Sequence, residues 1–156
     1  MAVDVSIVPC KSYDADVCRT ALTQALAPFG GLDWVKEGMH IVIKVNLVSA
    51  MKPEQAATTH PTLLCELTKM LREHGASVLL GDSPGGLYTA AHLNHVYDVS
   101  GMHDCEAAGA ELNQDFSQSD ASFPEAVCAK KFTYTAYLDR ADAIIDFCKL
   151  KTHGMM

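Results

Sequence analysis

The sequence lacks the features that mark several common classes of protein. None of its six cysteines forms a C-x-x-C pair, so no zinc or iron–sulfur motif is encoded. Lys and Arg number 12 against 19 Asp and Glu, and the net charge of −7 argues against a general nucleic-acid-binding face. No apolar run approaches the roughly 20 residues of a membrane span, and Asp4 stands where a signal peptide would be basic. We therefore expect a cytoplasmic protein with reduced cysteines that binds neither nucleic acid nor a membrane.

Familiar nucleotide-binding and metal-binding patterns are absent as well. The turn at residues 81–86 lacks the Gly-Lys-Ser/Thr of a Walker loop, and the first strand-to-helix turn lacks G-x-G-x-x-G. His92 and His95 share a helix face, but no carboxylate or cysteine is placed to complete a metal site with them and His103. The sequence therefore predicts neither classical ATP or NAD binding nor a metal site.

The chain does contain a regular alternation of apolar strand-like runs and amphipathic helix-like segments. This alternation predicts a three-layer α/β fold, with a mostly parallel sheet and helices on both faces. A length of 156 residues fits a single domain, residues 1–156, with its own core. The expected strands are Val3–Val8, Met39–Leu47, Ser77–Gly81, Ala110–Leu112, Lys131–Thr135 and Ala143–Cys148.

Capping residues mark where the predicted helices begin. Ser12 is expected to cap the first helix, and Thr59 or His60 the second, which has Pro61 in its first turn. The remaining segments are expected to be a helix from Leu87 to Val99, a short helix within Gly101–Gly109, a surface loop at Asn113–Glu125 and a helical turn at Tyr137–Arg140.

The turn Gly81-Asp82-Ser83-Pro84-Gly85-Gly86 follows a predicted strand. In open α/β sheets, ligands bind at the carboxyl edge, where such turns lie. Gly85 and Gly86 allow the backbone to approach a ligand or to adopt positive φ. Asp82 and Ser83 are expected to point into the site, with Asp82 as a candidate catalytic carboxylate. A tight structural connection between strand and helix would use the same turn chemistry.

The same turn matches G-x-S-x-G, the nucleophile elbow of α/β-hydrolases. An elbow needs the backbone N–H of the residue after the serine for its oxyanion hole. That residue is Pro84, which has no N–H. The physical objection outweighs the short pattern, and we do not expect a serine hydrolase.

Polar and basic residues follow several predicted strands. Lys44 and Asn46 share one face at the carboxyl end of a buried strand, where a lysine is costly unless it is paired or faces a polar cleft. His60 is placed at a helix N-terminus, a position that suits either anion binding or simple capping. Three residues share one side of the segment after the last strand, if that segment is extended: Lys149, Lys151 and His153.

Four blocks of the sequence, in order and at similar spacing, resemble one family. The blocks are Lys44-Val45-Asn46-Leu47, Thr59-His60-Pro61, the turn at residues 81–86, and Lys149-Leu150-Lys151-Thr152-His153-Gly154. They resemble the proteins of the domain of unknown function 362 (DUF362) family. The first block of that family is usually Lys-Pro-Asn, so Val45 is a departure. The resemblance covers essentially the whole chain.

The resemblance implies a redox-linked setting rather than a defined reaction. Members are often described as iron–sulfur proteins, because many carry a ferredoxin-like module with cysteine clusters further along. This chain has no such module, so the resemblance implies an iron–sulfur cluster in the full-length family and no cofactor encoded here. Members also continue past the Lys-Thr-His-Gly block. We therefore expect a C-terminally truncated portion of a longer family domain, which self-associates or binds a partner ferredoxin-like module.

A fainter similarity, in the His-Gly block and the fold type, points to the N-terminal domain of the lactate racemase-like proteins. Those proteins use histidines for proton transfer beside a nickel-containing nucleotide. The similarity implies His153 and His60 as acid and base candidates, with Lys149 or Lys151 holding an anionic substrate.

Three functional hypotheses follow. In the first, the domain belongs to a redox-linked enzyme and binds a small anion, phosphate or carboxylate, at the carboxyl edge of the sheet. In the second, it is a proton-transfer enzyme of the racemase or isomerase type, and in the third it is a non-enzymatic binding domain or a fragment. The expected ligand-binding residues are Lys44, Asn46, Ser83, Gly85, Gly86, Lys149 and Lys151.

Overall fold

The computed structural model of the chain describes residues 5–153, which contain a four-stranded parallel sheet and a separate antiparallel hairpin. Strand order in the sheet is β3-β2-β1-β6, and β4 pairs with β5 in the hairpin. The strands are β1 (His40–Lys44), β2 (Ser77–Gly81), β3 (Ala110–Leu112), β4 (Gln118–Ser122), β5 (Lys131–Thr135) and β6 (Ala143–Asp146). The α-helices are α1 (Ala15–Leu26), α2 (Pro61–Glu73), α3 (Ala90–Ser100) and α4 (Asp104–Ala107).

The central strand β1 is the most deeply buried part of the sheet. Its residues Ile41, Val42 and Ile43 are fully buried, as a run of β-branched side chains in a parallel sheet requires. Lys44 at its end is in register with Gly81 of β2 and with Asp146 of β6. The carboxyl ends of three strands therefore meet at one edge, as the predicted parallel sheet requires.

The predicted α/β fold with a parallel sheet is confirmed, but helices on both faces are not. All four α-helices contribute to one apolar cluster with Ile41 and Ile43 of β1. On the opposite face, Val42 and Leu79 pack against Tyr137, in a 3₁₀ helix at Ala136–Arg140. The crossover from β3 to β6 has no apolar stripe of helical period, and it forms the hairpin and this short turn instead of a helix.

Two local predictions at the start of the described chain are wrong. Residues 5–8 form no strand, and the rest of the predicted strand Val3–Val8 lies outside the described residues. Val5 and Ile7 are 71% and 91% exposed, so this apolar run has no sheet to join. Asp14 rather than Ser12 occupies the N-cap position of the first helix, and its side chain makes no capping hydrogen bond. The Ser12 hydroxyl donates to the Asp14 carboxylate (2.7 Å).

Two predictions in the second half also need correction. The segment Asn113–Glu125 is not wholly a loop, because Gln118–Ser122 within it pairs with β5. The last strand, predicted to be buried, is an edge strand that ends at Asp146, and Ile144 is 52% exposed. The turn predicted at Tyr137–Arg140 and the strands predicted at Ser77–Gly81 and Ala110–Leu112 are confirmed.

Candidate functional site

The residues that end β1 and β2 hold each other in place at the carboxyl edge of the sheet. Asp82 directly follows β2 and is 5% exposed. One of its carboxylate oxygens lies 3.2 Å from Lys44 Nζ, and the other accepts a hydrogen bond from the Leu47 backbone N–H (2.7 Å). Asp82 therefore orients Lys44 and joins the turn after β2 to the chain leaving β1.

A cavity of about 490 Å³ lies between this edge and the β4–β5 hairpin; we call it the edge cavity. Lys44 is the one cationic residue among the described residues that line it, and none of the lining residues is acidic. The lining is otherwise rich in side-chain hydroxyl groups. Its members are Lys44, Ser83, Pro84, Gly86, Tyr88, Gln118, Thr133, Tyr134, Thr135, Tyr137 and Leu138.

Two tyrosines of the edge cavity, the buried Tyr137 and the half-buried Tyr88, stay protonated at neutral pH. Burial raises the pKa of Tyr137 to about 12 and also raises the pKa of Tyr88. A protonated phenol can donate a hydrogen bond to an acceptor oxygen. The Tyr88 hydroxyl already donates to the Asp115 carbonyl oxygen (3.4 Å). The Tyr137 phenol and the Lys44 ammonium therefore make the cavity suited to ligands that carry acceptor oxygens.

Tyr137 reaches this position because Gly81 leaves room for it. A Cβ added at Gly81 would lie 2.7 Å from Cζ of Tyr137, closer than packed atoms allow. The ring therefore packs directly on the backbone at the end of β2. This contact attaches the 3₁₀ helix to the sheet and forms one wall of the edge cavity.

The chain leaving β1 is strained beside the site. Val48 has φ of 58°, a conformation that a β-branched residue rarely adopts. Its carbonyl oxygen accepts a hydrogen bond from the Gly85 N–H (2.9 Å), which fixes the loop after β1 against the turn after β2. Strain of this kind costs on the order of 1–3 kcal/mol and is concentrated at ligand sites and switches.

A second group of predicted residues gathers at the N-terminus of α2. His60 caps the helix by accepting from the Thr62 N–H (3.3 Å), and its ring stacks on Tyr13 with centroids 3.5 Å apart. Burial, and secondarily the charge of Lys149, lowers the pKa of His60. The predicted capping role is confirmed, and His60 remains neutral at physiological pH.

The structure brings some of the predicted site residues together and leaves others apart. Lys44, Ser83 and Gly86 line the edge cavity, and Asp82 lies behind it. The Gly85 carbonyl oxygen lies 3.0 Å from Nε2 of His92. The predicted residues that do not line the edge cavity are Asn46, His60, Asp82, Gly85, Lys149, Lys151 and His153.

Sequence reasoning missed most of the cavity wall. Tyr88 follows the glycine turn, and Tyr137 and the hairpin threonines come from the crossover between β3 and β6. The alternation of Thr133, Tyr134 and Thr135 was a signal for a strand with one polar face. It did not show which part of the sheet that strand would approach.

A larger cavity of about 690 Å³ lies along the edge strand β3, whose three residues line it together with Leu79 of β2. Glu106, Glu111 and Asp115 line it, and its Arg140 is already paired with Asp115 (2.9 Å). This acidic lining disfavours an anion, so the smaller edge cavity is the better candidate for an anion site.

The described cysteines do not fit an iron–sulfur cluster, which needs several thiolates converging on one point. Cys65 and Cys105 lie 3.5 Å apart at Sγ, and within residues 5–153 no group of three or more His, Cys, Asp or Glu is arranged to hold a metal ion. In the same range, no helix is both long and apolar enough to cross a membrane.

A parallel sheet with its cleft at the carboxyl edge defines the chain as an open-sheet α/β protein. Residues 41–156 match the family described as Domain of unknown function (DUF362), and the chain belongs to this family. The matched range contains all four blocks on which the resemblance was recognised. No solved structure matches the chain.

One curated relative is the thylakoid-associated protein sll1697 of Synechocystis sp. It is 27% identical over 159 residues, an alignment that covers 100% of this chain and 47% of the relative. The chain thus spans about half the length of that protein. Because the relative is described as thylakoid-associated, the expected cytoplasmic location stays a prediction.

Proposed function

We propose that the edge cavity binds a small ligand bearing a carboxylate or phosphate group. One observation carries this proposal: Lys44 faces a cavity lined by hydroxyl groups and no carboxylate, at the edge where open α/β sheets bind ligands. Its side chain is 37% exposed, so the ammonium is accessible to a ligand. Charge-assisted hydrogen bonds from an ammonium are among the strongest polar contacts available to such a group.

The ion pair with Asp82 leaves Lys44 capacity for a ligand. An ammonium has three N–H donors, and the contact with the Asp82 carboxylate uses one of them. The same carboxylate opposes an incoming anion by charge repulsion. Asp82 therefore fixes the position of Lys44 while weakening the binding that Lys44 supports.

The proposal predicts that inorganic phosphate or malonate raises the melting temperature of the wild-type chain, at constant ionic strength set with chloride. Binding to the folded state alone stabilises by about 2.7 kcal/mol when the ligand is at 100 times its Kd. Lys44→Met keeps an apolar stem, removes the charge, and should abolish this rise. Lys36→Met is the matched control, because Lys36 lies before the amino end of β1, where its Nζ contacts the Asp33 carbonyl oxygen (2.9 Å).

Asp82→Asn provides a second test, in which anion binding should strengthen rather than weaken. It removes the negative charge beside Lys44, and its side-chain carbonyl can still accept from the Leu47 N–H. We expect this variant to bind phosphate or malonate more tightly than the wild type. If the ligand response were the same in Lys44→Met as in Lys36→Met, the edge cavity would not be the anion site.

The other hypotheses stay predictions. An iron–sulfur cluster would need ligands from outside residues 5–153, since no group of three or more His, Cys, Asp or Glu within that range is arranged to hold a metal ion. No specific observation favours proton transfer by His60 and His153, because neither residue lines the edge cavity. A small-anion site at the carboxyl edge is the function that the described geometry supports best.

A further inference from the structure

We propose that Cys65 and Cys105 form a redox modification site, at which peroxide produces a reversible disulfide that joins α2 to α4. The two residues are 40 positions apart in sequence, and their Sγ atoms lie 3.5 Å apart. A disulfide has a sulfur–sulfur distance of about 2.05 Å, so the two atoms need to approach by only about 1.5 Å. This pairing is independent of the edge cavity and of the ligand proposed for it.

The two cysteines have different exposure, which suits the two roles in such a reaction. Cys65, on α2, is partly exposed, whereas Cys105, on α4, is fully buried. Cys105 also contacts the Pro61 carbonyl oxygen in the first turn of α2 (3.8 Å). A small oxidant can therefore reach Cys65, while the buried Cys105 is placed to act as the resolving thiol.

The local chemistry supports the same assignment. The hydrogen bond with Cys105, followed by the charge of Lys69, lowers the pKa of the Cys65 thiol against the opposing effects of burial and of Asp104 and Glu66. The same contact and burial raise the pKa of Cys105. Thiolate character and access make a cysteine reactive, so Cys65 is the one that reacts first.

The reaction balances with hydrogen peroxide as the oxidant. The Cys65 sulfur attacks one peroxide oxygen, the O–O bond breaks, and Cys65 sulfenic acid and water form. The Cys105 sulfur then attacks the Cys65 sulfur, the S–O bond breaks, and a disulfide and a second water form. Two thiols are oxidised by two electrons as peroxide is reduced, and dithiothreitol reverses the change.

The test is to expose the purified chain to hydrogen peroxide, block free thiols and map crosslinked peptides without reduction. Trypsin leaves Cys105 and Cys128 on one peptide, since no Lys or Arg lies between Arg72 and Lys130. The mapping therefore uses a Cys128→Ser background, where the replaced cysteine is exposed. We expect the Cys65–Cys105 peptide pair as the main intramolecular crosslink, with loss of both free thiols and their recovery on reduction.

Cys10 and Cys18 provide an internal comparison, because both sulfurs approach the Ser12 carbonyl oxygen, at 3.2 and 3.8 Å. In Cys105→Ala, the sulfenic acid at Cys65 has no resolving partner and should accumulate as a dimedone adduct. If this buried substitution prevents folding, the peptide map in the Cys128→Ser background decides alone. Crosslinks confined to Cys10 and Cys18, or an unmodified Cys65 when Cys10 is oxidised, would overturn the proposal.

Discussion

At the scale of single residues, the glycines of the central turn have different roles. Gly81 is required because a Cβ at this position would lie only 2.7 Å from Cζ of Tyr137. At Gly85, an added Cβ would meet only the Val48 carbonyl oxygen at 3.3 Å, and the backbone there is not in the left-handed region. The sequence alone presents both as equivalent turn glycines.

We predict that Gly81→Ala lowers the free energy of unfolding by about 1–3 kcal/mol, the range for overpacking a core. Gly85→Ala should cost less, because a small shift of one carbonyl relieves its contact. Urea denaturation of both variants measures the difference. The Gly81→Ala/Tyr137→Ala double variant should lose less free energy of unfolding than the sum of the losses in the two single variants. The reason is that the clash between the added Cβ and the tyrosine ring is absent in the double variant. Equal costs for the two glycine variants would contradict this account of Gly81.

Part of the candidate site could be predicted from the sequence, because polar residues at the end of an apolar run mark the end of a buried strand. Lys44 and Ser83 were placed correctly at the edge, since both follow apolar strand runs. Asp82 was expected to face a ligand, but its carboxylate is bound to the Leu47 N–H behind the cavity. Tyr137 could not be predicted to line it, because its packing on Gly81 depends on a contact distant in sequence.

At the scale of elements, Thr59 connects three segments that leave the sheet. Its hydroxyl accepts from the Asn46 N–H (3.2 Å) and donates to the Phe147 carbonyl oxygen (2.8 Å). Its own N–H donates to the Asn46 carbonyl oxygen (3.1 Å). Thr59 thus joins the end of β1, the entry to α2 and the chain after β6.

We predict that Thr59→Val lowers the free energy of unfolding by about 1–3 kcal/mol. The substitution keeps the side-chain shape but removes the hydroxyl, so partly buried backbone groups of Asn46 and Phe147 lose their partner. Thr59→Ser retains the hydroxyl and is the matched control for urea denaturation. Equal stability of the Val and Ser variants would show that this connection does not contribute.

The elements themselves were predicted where the local signal is strong. β2 follows the predicted bounds because Gly75 and Gly81 flank a short apolar run, and α2 begins as expected at Pro61. The strand at Gln118–Ser122 was missed, since its residues are polar and exposed. Such a strand is formed by pairing with β5, which no local pattern reveals.

At the scale of the whole molecule, the pH dependence of stability contains opposing contributions from two histidines. Burial lowers the pKa of His60 from 6.5, so its contribution is present above about pH 6.5 and is lost as the pH falls through the lowered value. The hydrogen bond to Glu106, aided by Asp98, raises the pKa of His103. Its contribution is therefore present below about pH 6.5 and is lost as the pH rises through the raised value.

We predict that replacing each histidine by Gln changes the pH profile of the melting temperature in opposite directions. His60→Gln should destabilise more at about pH 7.5 than at about pH 5.5, because burial and the charge of Lys149 disfavour the protonated imidazole. His103→Gln should destabilise more at about pH 5.5, where the protonated ring would pair with Glu106 and Asp98. Thermal melts of both variants and the wild type at the two pH values measure this. A shift of the same sign in both variants would contradict the assignment.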